Sequence, residues 1–122
     1  MTKTDALRIP DYLEHILEAL QRIFTYIDDI DEVGFLQNSM IQDAILRNLE
    51  ILGEASKNLV RYHADFVTQH TDVPWEDMYW MRNRISHGYF SIDFEIVWKT
   101  IEKELPLLEK QVRIIYEQIN HR

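Results

Sequence analysis

The stretch from Ser39 to Tyr62, SMIQDAILRNLEILGEASKNLVRY, carries the clearest structural signal in this 122-residue sequence. Its apolar residues recur at steps of three and four, the spacing that places side chains on one stripe of an α-helix. These residues are Ile41, Ile45, Leu49, Leu52, Ala55 and Leu59. Asn38 or Ser39 is expected to cap the helix, because a side-chain oxygen there can accept a hydrogen bond from an early backbone N–H. The stretch therefore predicts a long amphipathic helix.

Three residues of this predicted helix need a separate explanation. Gly53 costs about 1 kcal/mol relative to alanine inside a helix, which close approach of another helix would explain. Asn48 lies beside the apolar stripe, and a position at the packing edge is expected for its amide. Glu54 also lies next to the stripe, where an unpaired carboxylate is costly. The sequence leaves two alternatives for Glu54: a salt bridge to Arg82 or Arg84, or a position in water at the rim of the core.

The flanking sequence predicts further helices of the same kind. The first runs from about Pro10 to Ile30, and the acidic run up to Gly34 predicts a loop after it. Residues 63–73 are polar and irregular, with one short turn expected around Ala64–His70. A third helix should start at Val73-Pro74-Trp75 and stop at Gly88, a residue suited to a left-handed C-cap.

The last segment, capped by Asp93, runs from Phe94 to about Ile119, and Pro106 predicts a kink or two abutting helices there. Gly and Pro number 3 each, too few for a many-turned β-fold. The predicted fold is all-α: an antiparallel helical bundle of four to five helices, formed by residues 1–122 as a single domain.

Composition narrows the class of protein further. The 13 basic and 21 acidic residues give a net charge of −8, which argues against holding nucleic acid by bulk positive charge but permits a small basic site. The chain has no cysteine, so a disulfide, a thiolate nucleophile and a cysteine zinc site are excluded. No stretch reaches the roughly 18 apolar residues of a membrane span, and no signal peptide is evident. We expect a cytoplasmic protein without membrane contact.

The segment Trp80-Met81-Arg82-Asn83-Arg84-Ile85-Ser86-His87-Gly88-Tyr89-Phe90 differs from the rest of the chain. His87 falls beside the predicted helix end, where it can titrate near neutral pH and serve as a general acid or base. Arg82 and Arg84 carry permanently charged, planar guanidinium groups that can bind a phosphate through two hydrogen bonds each. Together a histidine and an arginine are a minimal set of side chains for cleaving RNA without a metal ion, because one moves the proton and the other neutralises charge on the phosphate oxygens.

Helical geometry complicates this interpretation. Arg82 and His87 are five positions apart, about 140° around a helix, whereas Arg84 and His87 are three apart and closer. Either the helix ends before His87, or the two side chains converge another way, for instance across a dimer interface. A motif this short more often has a structural role than a catalytic one. In the structural alternative, which the spacing leaves open, the arginines pair with carboxylates and His87 merely caps a helix.

Other residues that could carry chemistry give weaker signals. His15, His63, His70 and His121 are scattered without metal-site spacing, so we expect surface or structural histidines and no metal. P-loop and dinucleotide motifs are absent from the sequence. The tryptophans, Trp75, Trp80 and Trp98, could stack nucleobases, but at helical spacings they are more often core or dimer-interface residues.

At these residues the sequence resembles the HEPN superfamily, and more closely the HepT-type toxins of HEPN–MNT toxin–antitoxin pairs. The motif of that family is Arg, four residues, His, one residue, Tyr, and it stands here as Arg82 through His87 to Tyr89 with the expected polar residue Asn83. The resemblance extends to residues 51–55, to Val73-Pro74-Trp75, and to residues 93–105.

The resemblance implies a helical homodimer with metal-independent endoribonuclease activity and no cofactor, acting as a toxin on RNA, which is tRNA in some members. It assigns His87 as the acid/base and Arg82 as the group that binds the phosphate. Asn83 would orient the substrate or the partner side chain, and we expect Arg84 to make an auxiliary phosphate contact. Tyr89 would receive AMP from a cognate MNT nucleotidyltransferase antitoxin, and the added bulk and charge would exclude an RNA phosphate.

Two other functions remain open from the sequence. The chain could be a non-catalytic HEPN dimer that binds a nucleotidyltransferase partner or a nucleotide. It could also be a helical dimerisation scaffold without a ligand.

Overall fold

The structure, a computed structural model, describes residues 7–85 and 91–120. All regular elements within these ranges are helices, which confirms the predicted all-α class. They are α1 (Ile9–Ile27), α2 (Glu32–Leu36), α3 (Ser39–Tyr62), α4 (Ala64–Thr68), α5 (Trp75–Ile85), α6 (Phe94–Lys103) and α7 (Leu105–Asn120).

Helix α3 occupies the centre of the fold. It packs against α1 and α5, while α7 packs on α1 and on α6. The apolar stripe predicted for α3 faces this core, with Ile45, Leu52 and Leu59 fully buried. Asn38 caps the helix, since its Oδ1 accepts a hydrogen bond from the Ile41 N–H at 3.0 Å. The boundaries predicted for this helix are confirmed.

The region after α1 differs from the prediction. Helix α1 ends at Ile27 rather than Ile30, and residues 32–36, predicted as a loop, form the short helix α2. Asp31 caps α2 by accepting a hydrogen bond from the Gly34 N–H at 2.8 Å. Phe35 is fully buried, with its ring 5.4 Å from that of Trp98. Burial of Phe35 against a distant helix stabilises a turn that the acidic local sequence does not favour.

The predicted interruption at Pro106 takes the form of two abutting helices. Helix α6 ends at Lys103 and α7 begins at Leu105. Pro106 therefore lies in the first turn of α7, where its missing N–H leaves no helical hydrogen bond unmade. The predicted cap at Asp93 is confirmed, because its Oδ1 accepts from the N–H groups of Glu95 and Ile96.

Asn48 corrects one prediction. Its side chain is buried, 4% exposed, instead of lying at the packing edge. Its Nδ2 donates to the Ala44 carbonyl at 2.9 Å, one turn back along α3. Within the described part of the chain its buried Oδ1 has no hydrogen-bond partner. This hydrogen bond to its own helix satisfies the Nδ2 donor of the amide, which lets the short side chain enter the core.

Two further predictions concern the ends of helices. The short turn expected around Ala64–His70 is present as α4, which spans Ala64–Thr68. The stop of the third helix at Gly88 lies outside the described residues, and α5 is described up to Ile85. None of the helices in the described ranges combines the length and apolar character that crossing a membrane requires.

Candidate active site

Helix α5 carries the first part of the motif. Arg82, Asn83 and Arg84 lie in its last described turn. His87 and Tyr89 lie outside the described residues, as does the side chain of Arg82. The described part of the candidate site consists of helix α5 and the side chains of Asn83 and Arg84.

The N-terminal end of α5 is fixed by two polar contacts, one buried and one partly buried. Ser56, fully buried on α3, donates a hydrogen bond from its Oγ to the Trp75 carbonyl at 2.6 Å. The indole Nε1 of Trp75 donates to the His70 carbonyl at 2.9 Å. A hydrogen bond to backbone sets the position of the helix as well as its stability, because the accepting atom cannot rotate away. These two bonds tie the start of α5 to α3 and to the loop after α4.

Gly53 explains how closely α5 approaches α3. A Cβ at this position would lie 3.0 Å from the backbone oxygen of Met78. The predicted reason for the glycine, close approach of another helix, is thus confirmed, and the approaching helix is the one that carries the motif.

The two faces of α5 have different surroundings. Trp75, Met78 and Met81 are buried and form the inner face. On the outer face Trp80, Asn83 and Arg84 are exposed. Residues three and four apart are neighbours on a helix surface, so these three exposed side chains form one row. We call them the outer row of α5.

The side chain of Arg84 is paired with a carboxylate that no sequence pattern indicated. Its Nη2 donates to both carboxylate oxygens of Glu104, at 3.0 and 3.1 Å. Both side chains are roughly half exposed. A pair so exposed contributes only about 0–1 kcal/mol, so a phosphate can compete for the guanidinium. Glu104 stands at the junction of α6 and α7, and no local pattern relates it to a residue twenty positions earlier.

Glu54 is exposed and lies along the groove between α3 and α5, with Lys57 and Tyr79 among the other residues lining it. The groove encloses about 260 Å³, and the Nζ of Lys57 stands 5.6 Å from the centre of the Tyr79 ring. Of the two arrangements open for Glu54, the position in water at the rim agrees with its exposure. Arg84, one of its two candidate partners, pairs with Glu104 instead.

Three of the other histidines, His15, His63 and His70, have structural contacts, as expected. The Nε2 of His63 is 2.9 Å from the Leu7 carbonyl oxygen. His70 packs against the Phe66 ring, and His15 packs edge-on against Tyr12. His121 lies outside the described residues. Within residues 7–85 and 91–120 no group of three or more histidine and acidic residues is placed to hold a metal ion.

The tryptophans separate into two kinds. Trp75 and Trp98 are core residues, only 3% and 7% exposed, which is the commoner role for aromatic residues at helical spacings. Trp80 is 53% exposed and stacks on Tyr79, with ring centres 4.6 Å apart. Only the exposed indole is positioned to meet a ligand.

The described residues form an all-helical protein in which the first part of the motif lies in the last described turn of α5, a helix packed against the central helix α3. A family model described as ribonuclease HepT-like matches residues 16–115, which include the whole segment from Arg82 to Tyr89. The chain belongs to this HepT-like family.

Proteins from three microorganisms illustrate the similarity. A "Probable ribonuclease HepT" of Thermococcus cleftensis is 40% identical over 99 residues, 81% of this chain and 87% of that protein. A "Putative RNase" of Caldanaerobacter subterraneus subsp. tengcongensis is 39% identical over 107 residues, 88% of this chain and 93% of its own. One of the same description from Methanocaldococcus jannaschii is 36% identical over 115 residues, 94% of this chain and all of its own. No solved structure matches the chain.

Proposed function

We propose that this protein is a metal-independent endoribonuclease, the toxin of a type VII-like HEPN/MNT toxin–antitoxin pair. The observation that carries the proposal is the family match over residues 16–115, which includes the Arg82–His87–Tyr89 segment. The names of the relatives agree with it, since they describe ribonucleases. The substrate is RNA, with tRNA as the first candidate to test.

The chemistry follows from the two side chains of the motif. The His87 imidazole takes the proton from a ribose 2′-OH, and the 2′-oxygen attacks the adjacent phosphorus. The bond from phosphorus to the 5′-oxygen breaks, and that oxygen takes a proton from water as it leaves. Arg82 neutralises the charge that grows on the non-bridging oxygens. The products are a 2′,3′-cyclic phosphate and a 5′-hydroxyl end.

Asn83 and Arg84 position the substrate. Both are exposed on the outer row of α5, within reach of a strand lying along that face. Asn83 offers an amide that can bind a base, a ribose or a partner side chain. Arg84 supplies a phosphate contact when Glu104 releases it.

The active unit is a homodimer in which Arg82 of one subunit serves a cleft shared with His87 of the other. Helical spacing supports this arrangement, because residues five apart point about 140° away from each other on one helix. The net charge of −8 also favours a focused cleft over a broad basic surface. Sedimentation of the purified protein should give the mass of two chains.

The cognate MNT nucleotidyltransferase antitoxin neutralises the enzyme by transferring AMP to Tyr89. Mass spectrometry after co-expression with the antitoxin should show added adenylate that is absent from Tyr89→Phe. Preparations of the co-expressed wild type that never carry adenylate would contradict this regulation.

The central experiment is an RNA cleavage assay with wild type, His87→Ala and Arg82→Ala, read by sequencing the RNA ends. We expect cleavage by the wild type in excess EDTA and none by either variant, each shown by circular dichroism to be folded. A folded wild type that binds the nucleotidyltransferase tightly but cleaves no RNA over a wide pH range would favour a non-catalytic dimer.

A further inference from the structure

Trp80 is a large aromatic side chain left in solvent on the helix that carries the motif. Its exposure of 53% contrasts with the near-complete burial of the other two tryptophans. An indole gains more than most side chains from leaving water, so an exposed indole on the helix that carries the motif can act as a binding surface for a planar ligand.

The orientation of Trp80 is set by its neighbour. The rings of Tyr79 and Trp80 stack at 4.6 Å between centres with 24° between their planes. Tyr79 is half buried and lies in the groove beside α3, with the Lys57 ammonium over its ring. One face of the indole is thus covered by a fixed ring, and the exposed half of the residue offers the remaining surface to a planar ligand.

The charge of the outer face of α5 changes from negative near the start of the helix to positive near its last described turn. Toward the start of the helix, the exposed carboxylates of Glu76 and Asp77 lie four and three residues before Trp80, and they repel phosphate. Toward the other end, Asn83 and Arg84 lie three and four residues after it. A polyanion that contacts Trp80 is therefore repelled from the start of α5 and can reach Arg84, where a phosphate would replace Glu104 on the guanidinium.

We infer that Trp80 is a stacking platform for a nucleobase of a single-stranded RNA substrate, one helical turn before the phosphate contact of Arg84. The inference rests on the proposed ribonuclease function and adds the substrate class: unpaired RNA, held by base stacking as well as by charge. Aromatic stacking suits an acidic protein, because it supplies affinity without adding positive charge.

The structure also favours a nucleobase over a purely apolar partner at this position. Trp80 stands among polar and charged side chains on its own helix face, so a ligand there must bring polar groups beside its flat surface. A nucleotide does so, with a ring to cover the indole and a phosphate to meet Arg84.

Binding of short single-stranded RNA to full-length protein tests the inference through the tryptophan itself. Because Trp75 and Trp98 are buried, quenching of the long-wavelength part of the emission reports on Trp80. We expect a 12-nucleotide single strand to quench this emission, and a duplex of the same sequence to do so far less.

Variants separate stacking from general effects. Trp80→Ala should weaken single-strand binding about 5- to 150-fold and raise the KM of cleavage accordingly, and Trp80→Phe should recover most of the loss. Ile114→Ala is the matched control, since Ile114 on α7 is 52% exposed and is not expected to touch RNA. Trp80→Ala should also change the base preferred next to the cleavage site.

Four outcomes would contradict the inference that Trp80 stacks on a nucleobase. Equal binding, KM and base preference in wild type and Trp80→Ala would remove Trp80 from the substrate site while leaving the proposed ribonuclease intact. A loss that Trp80→Phe does not recover would remove base stacking as its cause. A shift of Trp80→Ala to a smaller assembly during sedimentation would assign Trp80 to the subunit interface. A wild type that neither binds nor cleaves RNA would end both proposals together.

Discussion

The guanidinium of Arg84 holds both carboxylate oxygens of Glu104, so the last described turn of α5 is joined to the junction of α6 and α7. The contact brings together residues twenty positions apart across two packed elements. It also occupies the one cation of the candidate site whose side chain is described. The pair is weak enough to open. Under the proposed function, RNA binding should therefore respond to substitutions at Glu104.

Glu104→Gln should strengthen RNA binding. Removing the carboxylate charge frees Arg84 for phosphate and returns the roughly 0–1 kcal/mol held in the pair, which corresponds to up to about a fivefold lower KM. Urea unfolding should show a change of less than about 1 kcal/mol in the free energy of unfolding. Steady-state cleavage kinetics at fixed salt would measure the first effect.

Glu109→Gln is the control for charge alone. Glu109 pairs with Arg113 on α7, and the substitution changes the net charge by the same one unit. Equal KM values for the two variants would show that the effect of Glu104 is a general one of net charge, contrary to the local model.

Gly53→Ala should destabilise the protein and displace α5. The added Cβ would meet the Met78 carbonyl oxygen at 3.0 Å, and a helix backbone yields little. Overpacking costs about 1–3 kcal/mol and the gain in helix propensity returns about 1 kcal/mol, so we expect a net loss of about 1 kcal/mol. Urea unfolding measures the loss, and a cleavage assay should show reduced activity.

Gly34→Ala provides the comparison, because there the Cβ would meet a carboxylate oxygen of Asp31 at 3.3 Å, and that side chain can move. Its stability should equal or exceed that of wild type, because the gain of up to about 1 kcal/mol in helix propensity meets no opposing backbone contact. If Gly53→Ala were as stable as Gly34→Ala, the close approach of α3 and α5 would not be the reason for the glycine.

Ser56→Ala should loosen the start of α5. The substitution removes the buried hydrogen bond to the Trp75 carbonyl and should lower the free energy of unfolding by about 1 kcal/mol. Hydrogen exchange should show faster exchange of the first amides of α5. Thr68→Ala, which removes an exposed hydroxyl bonded to the Asp65 carbonyl, should change neither quantity measurably.

Asn48→Leu should stabilise the protein. The buried Oδ1 has no partner within the described residues, and leaving such an atom unsatisfied costs about 1–3 kcal/mol. An apolar side chain of similar length removes that cost together with the back-bond to Ala44, so thermal unfolding should occur several degrees higher. Asn58→Leu, at a half-buried position, should give no such gain. A lower melting temperature for Asn48→Leu would mean that the amide has a partner in solution.

Much of the fold could be predicted from local patterns. The three-and-four spacing identified α1, α3 and the segment that forms α6 and α7, and side-chain caps at Asn38 and Asp93 located two helix starts. Helix α2 could not be found in this way, because its sequence is acidic and contains Gly34. Its stability depends on Phe35, whose burial among Phe94 and Trp98 is not visible before the chain folds.

The candidate site shows the same division. The identities of Arg82, Asn83, Arg84, His87 and Tyr89, their order and the helix that carries the first three follow from the sequence, because helix periodicity and motif spacing are properties of neighbouring residues. Tertiary structure decided that Glu104 pairs with Arg84, that Gly53 allows α5 to approach α3 closely, and that only one of the three tryptophans faces solvent. These are outcomes of packing between distant segments, and no local pattern encodes which surfaces will meet.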